Sequence, residues 1–240
     1  MFTIISGVGL LLLTLAGFSL FSMKAPKGSE AMSGMANAAI ASFLIEAVHK
    51  YITGDLFNLE FFQTLGSTSG SLGGVAAAIS VPLAMGANPV LAVVAGVAVG
   101  GYGILPGFIA GYAVGLIAPV LERKLPEGLN IIAGALMIAP LARIITILVD
   151  PAVNATLVKI GGTISAAADQ SPLVMGFLLG GIMKMICTSP LSSMALTAML
   201  GLNGLAMGIA AIACVGGSFT NGIIFTAWDS VTEATSSQLC

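Results

Sequence analysis

The chain of 240 residues is 57% hydrophobic and 8% charged, with a formal net charge of -2 and a mean hydropathy of +1.06. A soluble domain carries about a quarter of its residues as charges, so these values exclude a water-soluble enzyme and point to a chain dissolved in a bilayer. The polar stretches around Lys24 to Glu30, Glu122 to Glu127 and Val231 to Cys240 are too short for an appended kinase, nucleotide-binding or DNA-binding module. The sparse Lys and Arg residues form no basic run, which argues against nucleic acid as a partner.

Residues 1–23 lack a basic leader and a small-x-small cleavage site, so they read as a retained first helix, Phe2 to Ser22. Lys24 and Lys27 follow it and Arg123-Lys124 form the other basic cluster; together they leave the orientation open under the positive-inside rule. The second predicted helix, Met32 to Ile52, carries Glu46, His49 and Lys50 at i, i+3 and i+4. A carboxylate beside an imidazole on one helix face suits sugar hydroxyls or a proton relay. The alternative is an interfacial helix end, with Asp55 and Glu60 already in water.

From Phe61 to Leu121 no side chain is charged, and from Gln170 to Trp228 only Lys184 is. A spanning helix needs roughly 20 apolar residues, so each block crosses or enters the membrane at least twice. The pattern predicts helices at Gly73 to Met85, Val90 to Leu105, Phe108 to Leu121, Leu129 to Val149, Asn154 to Ala168, Leu173 to Cys187, Leu191 to Leu200 and Leu205 to Phe225. Proline interrupts them at Val81-Pro82, Asn88-Pro89, Leu105-Pro106-Gly107 and Ser189-Pro190. Lipid cannot satisfy the backbone groups that such breaks free, so broken segments at membrane depth line a cavity or sit at a bilayer surface. The fold class expected is therefore an all-α polytopic membrane protein with about 8–10 transmembrane or re-entrant helices.

Glycine supplies 31 residues, and Gly96, Gly100, Gly101, Gly103 and Gly107, like Gly176, Gly180 and Gly181, recur at helical spacing, which reads as close helix packing within lipid, with helices sliding past one another as the alternative. Arg143 and Asp150 share a helix face, as a buried relay or as flanks of a membrane boundary. Lys184 sits well inside an apolar segment, where an uncompensated charge costs at least about 2.5 to 3.5 kcal/mol. Its candidate partners are Glu46, Asp169, carbonyls of the break at Pro190 or a bound anion, with snorkelling to an interface as the alternative. Beyond it Thr188, Ser189, Ser192 and Ser193 gather four hydroxyls around Pro190, followed by Asn203 and Asn221. Tyr102 could stack on a sugar ring, and Trp228 reads as a boundary anchor. Cys187, Cys214 and Cys240 show no metal-ligand spacing, so no disulfide, zinc or other cofactor is expected.

The run Thr188-Ser189-Pro190-Leu191-Ser192-Ser193, the stretch Gly201-Leu202-Asn203-Gly204-Leu205-Ala206-Met207-Gly208, the preceding Pro172-Leu173-Val174-Met175-Gly176 and the earlier Val99-Gly100-Gly101-Tyr102-Gly103 carry a family likeness. Together they resemble the membrane-embedded enzyme IIC family of the phosphotransferase system that includes perfringolysin-regulator-type proteins. The likeness covers roughly 70–228 and is strongest over 172–217; residues 1–70 match poorly and 229–240 form a polar tail, all within one transmembrane domain, 1–240. It implies a multi-pass, dimeric permease of the bacterial plasma membrane. Such a protein binds a sugar or related small molecule, and separate IIA and IIB proteins supply the phosphoryl group.

Members of that family continue past the position of Trp228, so a truncated or short member is implied. Lys184 stands where a small or apolar residue is expected, which would suit an anionic substrate or a regulatory site. Other phosphotransferase permeases use a Glu and a His for the sugar, but Glu46 and His49 do not align with them. With one His and no hydrolytic or phosphate-cradling motif, the chain has no self-sufficient catalytic constellation. A small-molecule sensor without transport and an ion-coupled carrier are the alternative functions. Replacing Ser192 and Ser193 together by Ala is expected to weaken ligand binding without unfolding the protein; unchanged affinity in the folded double variant would move the site elsewhere.

Overall fold

Small residues set how closely the helices of this chain approach one another. The computed structural model describes residues 2–124 and 130–186, and beyond them Leu202, Leu205, Ala206, Gly208 to Ala210, Ile212, Ala213, Gly216 and Ile223. Among the described residues the fold is all-α. Its helices are α1 (Phe2–Lys24), α2 (Gly28–Ala39), two π-helical segments π1 (Ile40–Leu44) and π2 (Glu46–Leu56), α3 (Glu60–Ser71), α4 (Gly73–Ala84), α5 (Pro89–Ala98), α6 (Ile104–Lys124), α7 (Asn130–Gln170) and α8 (Pro172–Ile186).

Three stretches are long and apolar enough to cross a membrane: Gly28–Asp55, Ile104–Lys124 and Ile131–Val153. Shorter apolar helices run over Leu12–Lys24, Gly73–Ala84, Pro89–Ala98 and Pro172–Lys184. With 12 and 10 residues, α4 and α5 reach roughly 18 and 15 Å, against about 30 Å of hydrocarbon. Neither crosses alone, and the two pack together as a hairpin. The 41 residues of α7 extend roughly 60 Å, twice the hydrocarbon thickness. Its apolar first part, Ile131–Val153, is the candidate span.

Small side chains are the commonest inside, and Met35, Leu91, Ile138, Ile164, Met175, Leu179 and Met183 are fully buried between them. Buried positions are dominated by alanine, including Ala31, Ala38, Ala77, Ala78, Ala95, Ala110 and Ala118, while Leu13, Val97, Leu136, Leu148 and Phe177 are each more than two-thirds exposed. Outward-facing large apolar side chains on this scale would aggregate in water and are at home in lipid. Inside, α4 packs on α2 and α6, and α7 packs on α1, α5 and α6. Where α4 meets its neighbours the backbones touch: a Cβ on Gly34 would strike the backbone of Ser80 and Val81, and one on Gly107 would strike Gly74. At the opposite end of α4, Lys27 holds a left-handed conformation (φ 52°) and its ammonium donates to the Met85 carbonyl. Beside it the Tyr112 hydroxyl donates to Pro26 O at 2.9 Å, and the Tyr112 ring packs edge-on against Phe21 at 5.0 Å.

The prolines behave differently from the sequence expectation. Breaks were expected at Pro82 and between Val149 and Asn154, yet α4 runs through Pro82 and α7 continues through Pro140 and Pro151. A proline removes one donor, and a helix supported by its neighbours continues past it. Pro106 lies in the first turn of α6, where its missing N–H would have no intrahelical partner anyway. The break expected there falls instead at 99–103, where Gly101 takes φ 88°. Asn88-Pro89 starts α5 as a cap: Asn88 Oδ1 accepts from Val90 N at 2.9 Å and Pro89 occupies the first turn. The single helix expected over Met32 to Ile52 winds as π from Ile40 onward, and α3 is a helix that the apolar pattern did not predict.

If backbone contact holds α4 to α6, Gly107→Ala should destabilise the protein by about 1–3 kcal/mol, the usual cost of overpacking. Gly162→Ala, at a helical glycine with nothing within 4 Å of an added Cβ, should be neutral or gain up to about 1 kcal/mol. Melting of the two purified variants in detergent tests the contrast, and equal melting temperatures would overturn it.

Candidate functional site

The break between α5 and α6 opens onto a small cavity. Residues 99–103 cross the N-terminal end of α4 so closely that a Cβ on Gly74 would run into the Tyr102 and Gly103 carbonyls. This approach sets Tyr102 beside the end of α3, and π1 and π2 close the remaining side. The resulting cavity of about 150 Å³ is lined by Ser42, Phe43, Glu46, Gly70, Ser71, Gly73, Gly74, Tyr102, Gly103 and Ile104.

Each polar wall has a local cause. Ser42 is buried at 2% exposure, and its hydroxyl donates back to Ala38 O at 2.8 Å, so its oxygen keeps acceptor capacity. Glu46 pairs with Lys50 one turn on (Nζ to Oε1 3.2 Å), both side chains about a third exposed or less. A partly exposed i,i+4 pair contributes only about 0.3–0.5 kcal/mol, so it orients and neutralises the carboxylate more than it stabilises the fold. Gly70 faces that carboxylate directly: a Cβ there would coincide with the Glu46 oxygens. The absent side chain at 70 is what lets the carboxylate lie in the cavity wall.

Tyr102 is held from outside the cavity. The Arg143 guanidinium of α7 lies over its ring, 4.6 Å from the centroid. Arg143 Nη1 also donates to Ala98 O at 3.1 Å and Gly100 O at 2.9 Å. These carbonyls lie at the end of α5 and in the break, where the chain leaves the helix and intrahelical donors run out. Sequence reading gave Arg143 to a relay or a membrane boundary, and its contacts at the break depend on a fold-level approach that spacing does not encode.

The predicted site residues thus divide. Glu46 and Tyr102, far apart in sequence, line one cavity. His49, expected on the Glu46 face, stacks on Phe62 of α3 (centroids 5.5 Å apart, planes 15°) and does not line it. The i→i+5 winding of π2 turns residue i+3 away from i more than an α-helix does. His49 Nδ1 is buried without a hydrogen-bond partner among the described residues. Lys184 lines a separate apolar cavity of about 810 Å³ with Gly176, Phe177, Gly180, Ile209 and Ile212. Thr188, Ser189, Pro190, Ser192, Ser193, Asn203 and Asn221, like the three cysteines, Trp228 and the helix expected over Leu191 to Leu200, lie outside the described residues. Ser42, Gly70 and Ser71 were not singled out from sequence. Gly70 and Gly73-Gly74 were the available signal, as small residues flanking a predicted helix start.

The wall of this cavity thus brings together a carboxyl group, two serine hydroxyls and an aromatic ring, groups that exchange hydrogen bonds and stack. Among the described residues no group of three or more His, Cys, Asp and Glu side chains is placed to hold a metal ion.

A family model described as the phosphotransferase system EIIC matches residues 29–236. The chain belongs to this family. Its matched range includes π1, π2 and the segment carrying Glu46 and His49, as well as the break at 99–103. No curated protein and no solved structure gives a significant match. Membership of the EIIC family and the apolar helices together make this a membrane protein of the phosphotransferase system.

Because His49 Nδ1 makes no bond to a described residue, His49→Phe should keep the stack on Phe62 and leave stability unchanged or slightly higher. Replacing an unsatisfied buried polar group by an apolar one of similar shape is nearly neutral. A loss of more than about 1 kcal/mol in denaturation of the purified variant would show that the nitrogen holds a partner.

Proposed function

We propose that this chain is the membrane permease component of a sugar phosphotransferase system, a multi-pass homodimer in a bacterial plasma membrane. It binds a sugar or sugar-like molecule and passes it through the bilayer, and a separate IIB protein, itself charged by IIA, phosphorylates the sugar. The observation that carries this reading is the EIIC match over residues 29–236. The cavity that joins Glu46 to Tyr102 supports one location for the sugar: hydroxyls donate to the Glu46 carboxylate, Ser42 and Ser71 complete the polar wall, and the ring face meets Tyr102.

The Lys50 partner leaves the cavity without net charge, which favours a neutral ligand over an anion. A cavity near 150 Å³ is below the usual ligand range of about 300–1,000 Å³, so a single ring fits where an oligosaccharide does not. We assign Thr188, Ser189, Ser192, Ser193, Asn203 and Asn221 to a further polar stretch of the path, and keep Lys184 and His49 as residues of that path outside the Glu46 cavity.

Reconstituted vesicles tested with radiolabelled hexoses, with and without IIA and IIB proteins, separate the functions. The expected result is accumulation of sugar phosphate only when the partners are present. Glu46→Gln and Gly70→Ala should each lower sugar affinity about tenfold, equivalent to about 1.4 kcal/mol, at unchanged melting temperature. Binding without flux would make the protein a sensor, partner-independent flux would make it a carrier, and full affinity in both variants would remove the sugar from this cavity.

A further inference from the structure

Arg143 sits in an apolar span, Ile131–Val153, where a guanidinium is expensive. Three contacts of its head group go to one place: Ala98 O, Gly100 O and the face of the Tyr102 ring. One side chain of α7 therefore holds both the backbone of the α5–α6 break and the aromatic side chain that the break carries into the cavity. Gly101, with φ 88°, and the flanking Gly100 and Gly103 give this segment little resistance of its own to rotation. On the cavity side Tyr102 shares the wall with Ser42, Glu46 and Ser71.

We propose that Arg143 is a positioning residue that holds Tyr102 as the closing wall of the Glu46 cavity, so that movement of α7 against α5 opens or closes access to it. The proposal rests on reading this cavity as the ligand site only for its consequence in transport; the mechanical link between Arg143, Tyr102 and the cavity stands on the contacts alone. A guanidinium can serve this role where an ammonium serves it partly, because its planar fork bonds two carbonyls while its face stacks on a ring.

The test needs no ligand. In the full chain, with Cys187, Cys214 and Cys240 replaced by Ser, a single cysteine introduced as Ser42→Cys reports access to the cavity through its rate of labelling by a water-soluble maleimide. Ser42 is buried at 2% exposure, so labelling is expected to be slow. Arg143→Met should raise the rate about fivefold, the scale of losing one cation–π contact. Tyr102→Ala should raise it at least as much, and Arg143→Met should add nothing in the Tyr102→Ala background. Arg143→Lys should keep only part of the protection, with a rate between those of the parent and Arg143→Met.

Melting temperature and gel-filtration profile accompany each rate, and Arg143→Lys keeps the test open if Arg143→Met fails to fold. Unchanged labelling in Arg143→Met, or rates that multiply fully in the double variant, would overturn the proposal and leave Arg143 as a cap on carbonyls. Loss of sugar affinity in Glu46→Gln with no coupling between Arg143 and Tyr102 would sink this inference alone, whereas coupling with full sugar affinity in Glu46→Gln would sink the sugar-site reading alone.

Discussion

Backbone polar groups that leave a helix need new partners, and the break between α5 and α6 shows how this fold supplies them. The chain leaves its helical path at 99–103 and must satisfy what it exposes. Turn bonds within the chain, Gly100 N–H to Val97 O and Tyr102 N–H to Val99 O at 3.3 Å each, and the Arg143 guanidinium, which donates to Ala98 O and Gly100 O, supply partners, while the missing Cβ of Gly74 lets α4 lie against the break. The same segment carries Tyr102 into the cavity, so the arrangement that makes a broken helix tolerable also builds one wall of the candidate site.

Close approach is achieved by omission. Gly34, Gly74 and Gly107 replace side chains with backbone contact, and Gly70 replaces one with the Glu46 carboxylate. Within lipid there is no hydrophobic drive to bring helices together, so dispersion across small faces and hydrogen bonds must supply it. Some of the larger apolar side chains point outward, as Leu136, Leu148 and Phe177 do, while Met35, Leu91, Met175 and Met183 fill the interior. The cavity inherits its size from this packing: its floor is glycine backbone, and its polar side chains come from segments that meet only because that backbone is bare.

Membrane class and helicity were legible in the sequence, because they follow from hydropathy; the break expected to line a cavity, at Pro190, lies outside the described residues. The site of the decisive break was not legible. Proline is the visible breaker, yet Pro82, Pro140 and Pro151 all lie within helices and Gly101 makes the turn. Whether a proline ends a helix depends on what neighbouring helices offer it, which is tertiary information. Glu46 and Tyr102 could each be nominated as polar or aromatic residues in apolar surroundings. Their meeting in one cavity depended on α4 lying between them in sequence, and the separation of His49 from Glu46 on a π-helical winding that residue spacing does not announce.

If the Glu46 cavity is the ligand site proposed above, its electrostatics suit a permease that must release what it binds. Paired with Lys50 at 3.2 Å and about a quarter exposed, the Glu46 carboxylate has a basic partner beside it and keeps acceptor lone pairs for hydroxyls. A neutral polyhydroxyl ligand at such a site would gain several moderate hydrogen bonds and one aromatic face, each exchangeable for water. Tight, charge-assisted binding would suit a receptor, whereas distributed neutral contacts would suit the release step of the proposed transport.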